Sequence, residues 1–348
     1  KTPVKGLVQD LVSGAHPYIP LIIPTLSDAA RVIAPVPTIY FVPDDPAFGE
    51  YRSLFANTLC LLEEREPTPD KSDTKNTEKL LDRIFESQQV RVDQKALLRA
   101  RILDMYIGDW DRHSDQWRWG IRDSNKLSVY YPIPRDRDQA FFYSEGLLVK
   151  FVQLMALRHL VSFDDDLAKV KSLNYKMWPF DMLLLNGLDR PQWKEILTEL
   201  QAAFTDDVIH EAMAHLPPEI YALRGARLEK KLRERREDLV RQGLHYYRFI
   251  SARVDVYGTN AAETFEVSGM GSDVVVKVYA MKGDGRGGLL YERRFVKDDT
   301  EVVRLFGLRG NDRFVVADGV KSRIRIELHG EDGDDRYEVG SGRVKVVE

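Results

Sequence analysis

The chain has 348 residues, 43% hydrophobic and 30% charged, with 51 Lys and Arg against 55 Asp and Glu for a formal net charge of -4. That length admits two or three domains with a sizeable core, and the slightly acidic balance argues against a general nucleic-acid binder, whose footprint is basic. No apolar run approaches the roughly 20 residues a bilayer span needs, and the lone Cys60 excludes an internal disulfide or a cysteine-rich zinc cluster.

The chain opens at Lys1 with no signal-like segment, which reads as a mature or excised piece of something longer. Val4 to Val12 and Leu26 to Ile33 carry short amphipathic helical patterns. Thr38 to Val42 is β-rich and runs into the turn Pro43-Asp44-Asp45-Pro46, after which Leu54 to Leu62 reads as a returning strand. Pro67 to Asn76 is a polar loop. From Thr77 to about Ser251 the pattern is mostly helical, with apolar residues three and four apart in Leu80, Leu81, Ile84 and Phe85, then in Leu97, Leu98, Ile102 and Met105. One β-rich interruption falls at Gln116 to Phe142. Helical patterns follow at Tyr143 to Leu160, Gln192 to Phe204 and Asp206 to His215. Gly225 to Tyr247 is a long charged helix whose Lys230-Lys231 and Arg235-Arg236 runs suit a solvated face. Beyond about Arg253 the helical pattern stops, and Val274 to Tyr279, Val302 to Phe306, Arg313 to Val316 and Ile324 to Leu328 read as strands. The expected class is α+β, with an all-β region at the end.

The chemistry concentrates between Asp111 and Asp136. The helix Ala96 to Ile107 leads into Gly108-Asp109-Trp110-Asp111-Arg112-His113-Ser114-Asp115-Gln116. A strand pair follows, Trp117 to Arg122 and Ser128 to Ile133, turning at Asp123-Ser124-Asn125, and it delivers Arg135-Asp136-Arg137-Asp138-Gln139-Ala140-Phe141. Phosphoryl transfer needs a carboxylate near the acceptor hydroxyl and groups that hold Mg²⁺ across the phosphates. Asp111, Gln116 five residues later, and Asp136 after a hairpin supply that order of residue types. A capped, salt-bridged turn would carry the same Asp, Arg and His without chemistry. The Gly-Asp-x-x-Asp-Arg-Gly string of metallophosphatases fits poorly, because the spacing is one residue short and its companion elements are missing. His16, His113, His159, His210, His215, His245 and His329 are scattered, which suits surface or capping roles. Trp110, Trp117 and Trp119 are expected to pack behind the loop.

Asp111-Arg112-His113-Ser114-Asp115-Gln116 resembles the Asp-Arg-His loops of phosphoinositide lipid kinases and secretory-pathway casein kinases. Asp136-Arg137-Asp138-Gln139-Ala140-Phe141 resembles their metal-aspartate element. Leu216-Pro217-Pro218-Glu219 with Arg235-Arg236 is similar to HipA-like and CotH-like kinases. Gln9-Asp10, His16-Pro17-Tyr18, Glu63-Glu64-Arg65 and the Gly108 to His113 string together resemble a module of large bacterial envelope proteins. There it lies between a calcineurin-like metallophosphoesterase domain and an outer-membrane surface-antigen barrel. The resemblance implies an atypical kinase-like fold with a partial front lobe and hinge over 1–76, a helical lobe over 77–252 and a small β-solenoid or sandwich over 253–348. It implies ATP and Mg²⁺ as cofactors and a cell-envelope location beside those two domains of one polypeptide. Asp111 would be the catalytic base, beside Arg112 and His113. Gln116 and Asp136 would hold Mg²⁺, with Asp138 as a substitute, and Glu63 and Glu64 would lie on the nucleotide side. The chain shows no glycine-rich phosphate loop and no strand lysine paired with a helix glutamate, although Gln9 or Asp10 fits that helix position. Two readings stand: an ATP·Mg²⁺-dependent phosphotransferase, or a catalytically inactive scaffold.

In the tail, Gly307-Leu308-Arg309-Gly310-Asn311-Asp312-Arg313-Phe314 recurs 23 residues later as Gly330-Glu331-Asp332-Gly333-Asp334-Asp335-Arg336-Tyr337. The repeat resembles the calcium-binding nonapeptide of β-roll proteins without its second glycine. Structural turns are the expected role, with Ca²⁺ between Asp312 and Asp335 as the alternative.

Overall fold

The computed structural model describes residue 14 and residues 16–143, 160–164, 167–283 and 285–347. The expected helix at Val4 to Val12, with Gln9 and Asp10, lies outside the described residues, as does most of the Tyr143 to Leu160 helix with His159. Helices and several sheets, none of them closed, make a mixed α/β architecture.

The helix expected from Leu26 to Ile33 sits earlier, as α1 (Ile23–Ala29), because Pro24 occupies its first turn. Strand β1 (Thr38–Val42) pairs antiparallel with β2 (Thr58–Leu62). The returning strand is shorter than expected: Arg52–Phe55 is a helical turn, and Asn57, at φ 58°, starts the strand. This two-stranded sheet stands off the body with Tyr40, Phe41, Leu59 and Leu62 exposed, whereas Ile19, Ile22, Ile23 and Leu26 pack into the helical core.

β3 (Lys75–Asn76) leads to α2 (Thr77–Glu86), capped by Asn76, whose side chain accepts from Lys79 N at 3.0 Å. β4 (Val90–Val92), which the sequence pattern did not reveal, precedes α3 (Gln94–Ile107). Every α3 residue from Ala100 to Ile107 is buried, so α3 is an axial core helix and not an amphipathic one. The hairpin is longer and tighter than expected. β5 (Trp117–Ser124) and β6 (Leu127–Pro134) keep Asp123 and Ser124 in the ladder, and the turn is the pair Asn125-Lys126, both at positive φ. The order β3-β5-β6-β4 makes one small sheet against α2 and α3.

α4 (Trp178–Leu184), α5 (Arg190–Ala203), α6 (Asp206–Ala214) and α7 (Ala226–Ser251) complete the helical part. α7 carries the expected solvated face at Lys230, but Arg235 of the other charged run is buried. Leu228, Leu232, Arg235, Leu239, Gln242, Tyr246 and Ile250 are buried at steps of three and four. Arg235 spends its guanidinium on the carbonyls of Met105 and Tyr106 at 2.6 and 2.7 Å, at the end of α3.

The composition change near Arg253 coincides with the end of α7 and with a second, separate core. Strands β7 (Arg253–Tyr257), β11 (Val302–Phe306), β13 (Arg325–His329) and β15 (Val344–Val347) form an all-parallel sheet. In a second sheet β8 (Glu263–Met270), β12 (Arg313–Val316) and β14 (Arg336–Val339) run parallel, extended antiparallel by β9 (Asp273–Lys282) and β10 (Gly285–Phe295). Partners from β11 to β13 and from β12 to β14 are 23 residues apart, as Val302 with Arg325 and Arg313 with Arg336, and the last step, Ile326 with Val344, is shorter. The first step is longer because the β9–β10 hairpin is inserted there. Rings stack from tier to tier: Phe265, Phe314 and Tyr337 at 4.7 and 5.2 Å, and Tyr257, Phe306 and His329 at 4.9 and 4.4 Å. The tail meets the helical part where Gln88 Nε2 donates to Glu263 Oε1 at 2.5 Å and Asn260 N to Phe85 O at 2.7 Å.

Candidate active site

α3 ends at Gly108, whose φ of 69° turns the chain out of the helix, and the loop Asp109 to Gln116 follows. Beneath this loop lies a buried charge network. Arg101 Nε and Nη2 reach the two oxygens of Asp181 at 2.8 and 3.1 Å, and Arg101 Nη1 reaches Asp104 at 2.9 Å. Asp104 also receives Arg112 Nε at 3.2 Å and Arg137 Nε at 3.0 Å. Arg112 Nη2 approaches Asp109 at 2.7 Å, Tyr246 donates to Asp181 at 2.7 Å, and the six charged side chains are all at most 6% exposed. Burial would raise Asp104, but Arg112, Arg137 and Arg101 outweigh it and hold the carboxyl below its ordinary range. At Asp109 burial, helped by the charge of Asp104, outweighs Arg112 and the other arginines and pushes the carboxyl up to about 6. The network pins the loop, since Arg112 Nη1 also donates to the carbonyl of Arg135 and lies 5.5 Å from the centre of the buried Trp117 ring.

Two further bonds join loop and hairpin exit. Phe141 N donates to Ile107 O at 2.9 Å, and Gln116 Nε2 donates to Asp136 Oδ2 at 3.1 Å. Asp136 and Phe141 both take left-handed backbone conformations, φ 56° and 58°, which a non-glycine residue adopts at a cost. The segment between them is thereby bent back over the loop. It opens on a cleft of about 490 Å³ lined by Glu63, Asp115, Gln116, Asp136 and Asp138, with Leu61 of β2 on the opposite wall.

The structure thus brings Gln116, Asp136, Asp138 and Glu63 to one cleft. Burial raises Asp138, and the neighbouring charges of Asp136 and Asp111 raise it further. Asp111 does not line the cleft; it is partly exposed and ion-paired with Lys176, near enough for its charge to act on Asp138. Arg112 faces inward and acts on the loop's position. His113 caps the short turn Ser114–Gln116, its Nδ1 accepting from Asp115 N at 3.4 Å. Glu63 pairs with Arg135 at 3.5 Å, while Glu64 is exposed and does not line the cleft. The Gln116 amide oxygen accepts from His113 N at 3.2 Å, so its NH₂ group is the end turned to Asp136. Among the described residues, no group of three or more His, Cys, Asp or Glu could hold a metal ion. The donor set is therefore carboxylate oxygens, at most two together, with one amide.

Trp117 and Trp119 are fully buried behind the loop, as expected. His210 pairs with Glu229 at 3.0 Å on the surface of the helical part. In the tail, Asp312 and Asp335 do stack. Asp312 Oδ1 accepts from Glu263 N at 2.7 Å, and Asp335 Oδ1 accepts from Asp312 N at 2.8 Å, so the carboxylates clamp backbone between tiers.

Comparison with known proteins gives no match. No family model, no curated protein and no solved structure matches the chain. The site is read from its own geometry.

Sequence reasoning missed Arg101, Asp104, Asp181 and Lys176. Arg101 and Asp104 did leave a signal, as charges three apart inside the otherwise apolar run Ala100 to Ile107. Asp181 and Lys176 lie far along the chain and left none. A third copy of the tail repeat was also missed. Gly258, Glu263 and Phe265 keep the spacing of Gly307, Asp312 and Phe314, with Glu for Asp and Ala261 where the second glycine stands.

Proposed function

We propose that the cleft between Gln116 and Asp136 is the site of an ATP·Mg²⁺-dependent phosphotransferase of the atypical kinase class, acting on a hydroxyl acceptor. The observation that carries this is the Gln116–Asp136 side-chain bridge at 3.1 Å, joining the loop after α3 to the hairpin exit. Asp138 lines the same cleft, and the charge of Asp111 lies near enough to act on it. Hard oxygen donors, few in number, suit Mg²⁺, which keeps several waters and takes substrate phosphates as ligands. Asp136 and Asp138 would hold the ion, with the Gln116 amide turned about to present its oxygen. The ion would neutralise phosphate charge. Asp111 would accept the acceptor's hydroxyl proton, and the buried network would keep its loop in place. The helical part and hairpin are then a kinase-like lobe, the front residues a reduced second lobe, and the tail a short β-solenoid of parallel tiers. The resemblance to the envelope module supports a location beside a phosphoesterase domain and an outer-membrane barrel.

A catalytically inactive scaffold is the second reading. It is favoured by the engagement of the Gln116 oxygen with His113 N. Thermal-shift titration with Mg·ATP separates the two. A metal-dependent rise in midpoint in the wild type, lost in Asp136→Ala, is expected of the kinase site. A folded wild type with no shift leaves the scaffold.

A further inference from the structure

The carboxylates in and near the cleft pose an electrostatic problem. Asp111 and Asp136 both act on Asp138, and a nucleoside triphosphate brings several more negative charges. A metal ion at Asp136 and Asp138 would answer this on one side. At Asp111 the cation must come from the chain. The phosphate lysine expected of a front strand was not found in the sequence, and the loop's own Arg112 is buried and engaged below. The arginines that line the cleft are also engaged, Arg118 with Glu66, Arg135 with Glu63 and Arg137 with Asp104.

Lys176 stands in that place. It lies on the single turn Tyr175–Met177 just ahead of α4, 65 residues beyond Asp111, and its Nζ is ion-paired with Asp111 Oδ1. Its ammonium also sits 5.6 Å from the centre of the Trp110 ring, a cation–π contact that orients the long side chain. Both partners remain about one-third exposed, 33% for Lys176 and 29% for Asp111. The pair is therefore open to solvent and is not part of the sealed network beneath. An ammonium is a compact charge with three donors on a flexible stem, able to keep one bond to Asp111 while offering another to a phosphate oxygen.

We propose that Lys176 is the residue that contacts the terminal phosphoryl group of the bound nucleoside triphosphate and holds Asp111 toward the acceptor, so that the phosphate cation comes from the helical body and not from a front lobe. This rests on the kinase reading of the cleft. In the transfer, the acceptor oxygen forms a bond to the terminal phosphorus. The bond from that phosphorus to its bridging oxygen breaks, and the nucleoside diphosphate leaves with the electron pair. The hydroxyl proton passes to Asp111, and Lys176 stays protonated throughout, offsetting charge on the moving group.

The test compares binding of Mg·ATP and Mg·ADP by calorimetry to the wild-type chain, Lys176→Met and Lys176→Arg, with far-UV circular dichroism to verify folding. A charge-assisted hydrogen bond is worth about 1.5–3 kcal/mol, or roughly ten-fold or more in affinity. Lys176→Met is expected to weaken ATP about ten-fold and ADP far less, with Lys176→Arg restoring most of the difference. If the wild type prefers ATP and Lys176→Met keeps the whole preference, Lys176 does not touch the terminal phosphate, and the kinase reading survives alone. Equal wild-type affinity for ATP and ADP overturns the assignment in the same way. No nucleotide binding by the folded wild type removes both. Lys176→Arg is the second variant, since it keeps the charge if Lys176→Met unfolds.

Discussion

The helical part buries three acidic side chains and the tail stacks three, two of them buried, and the two regions stabilise them by opposite means. Beneath the loop, Asp104, Asp109 and Asp181 meet Arg101, Arg112 and Arg137, so that charge is matched by charge. In the tail, Glu263, Asp312 and Asp335 stack on the same ladder. Glu263 and Asp312 are 0% and 1% exposed. Their partners are backbone N–H groups, Thr259 and Gln88. Burial raises Glu263, and it pushes Asp312 to about 8, with Glu263 and Asp335 adding to the effect. Charge pairing fixes direction and so suits a loop that must present side chains. Carboxyls satisfied by backbone fix spacing and so suit a repeated tier.

The largest effect should come from breaking the charge pairing. Arg101→Met leaves Asp181 buried without its cation and takes one of three from Asp104, which costs about 3–5 kcal/mol, read as a lower denaturant midpoint for the helical part. Adding Asp181→Asn should recover part of this, because a neutral amide needs no counter-charge. If the single variant unfolds like the wild type, the network contributes nothing to stability.

The tail should instead answer to pH. The folded Asp312 carboxyl titrates near 8, against roughly 3.9 for an unfolded aspartate. Between these values the folded state holds a proton the unfolded state has lost. Tail stability is therefore greatest at the acid end of that window and falls as pH rises from about 4 to about 8. Asp312→Asn, neutral at all these values, should flatten the profile in this window. A slope unchanged in the variant would place the titration elsewhere.

A smaller, graded effect tests the packing of the ladder. A Cβ at Gly307 would lie 2.2 Å from Asp312 Oδ2, and one at Gly330 would lie 2.0 Å from Asp335 Oδ2. Gly307→Ala, between two tiers, is expected to cost about 1–3 kcal/mol. Gly330→Ala should cost less, because the outer carboxyl can move. Equal losses would mean the outer tier is as tightly held as the inner one. Least of all, Arg313→Ala should leave the tail's midpoint unmoved. Its pair with Glu338 at 2.8 Å is solvent-exposed and contributes by screened attraction alone.

Local patterns made much of the architecture legible. Val302 to Phe306 and Arg313 to Val316 are strands with the bounds that alternation marked, and Thr38 to Val42 likewise. What failed depended on neighbours far along the chain. α7 reads as solvated because its charges are frequent, yet Arg235 is buried through carbonyls of α3 more than a hundred residues earlier. β4 is three residues long and exists because β6 pairs with it. At the site, the order Asp111, Gln116, Asp136 was visible as spacing, and the structure does join Gln116 to Asp136. The orientation of the Gln116 amide, the inward turn of Arg112 and the approach of Lys176 follow from tertiary packing, and spacing carries no trace of them.

The inserted β9–β10 hairpin has an evolutionary consequence. Tiers one and two keep their register, their stacked rings and their carboxyl clamp although one connection has gained a whole antiparallel excursion. The stack tolerates an excursion at one connection, but the excursion is not idle. Tyr291 and Arg293 of β10 donate to Asn186 O at 2.8 and 2.5 Å, and Arg293 also reaches Tyr247 and Ser251 of α7. A graft onto the stack has here become part of the joint with the helical part, so the two can no longer change independently at that face.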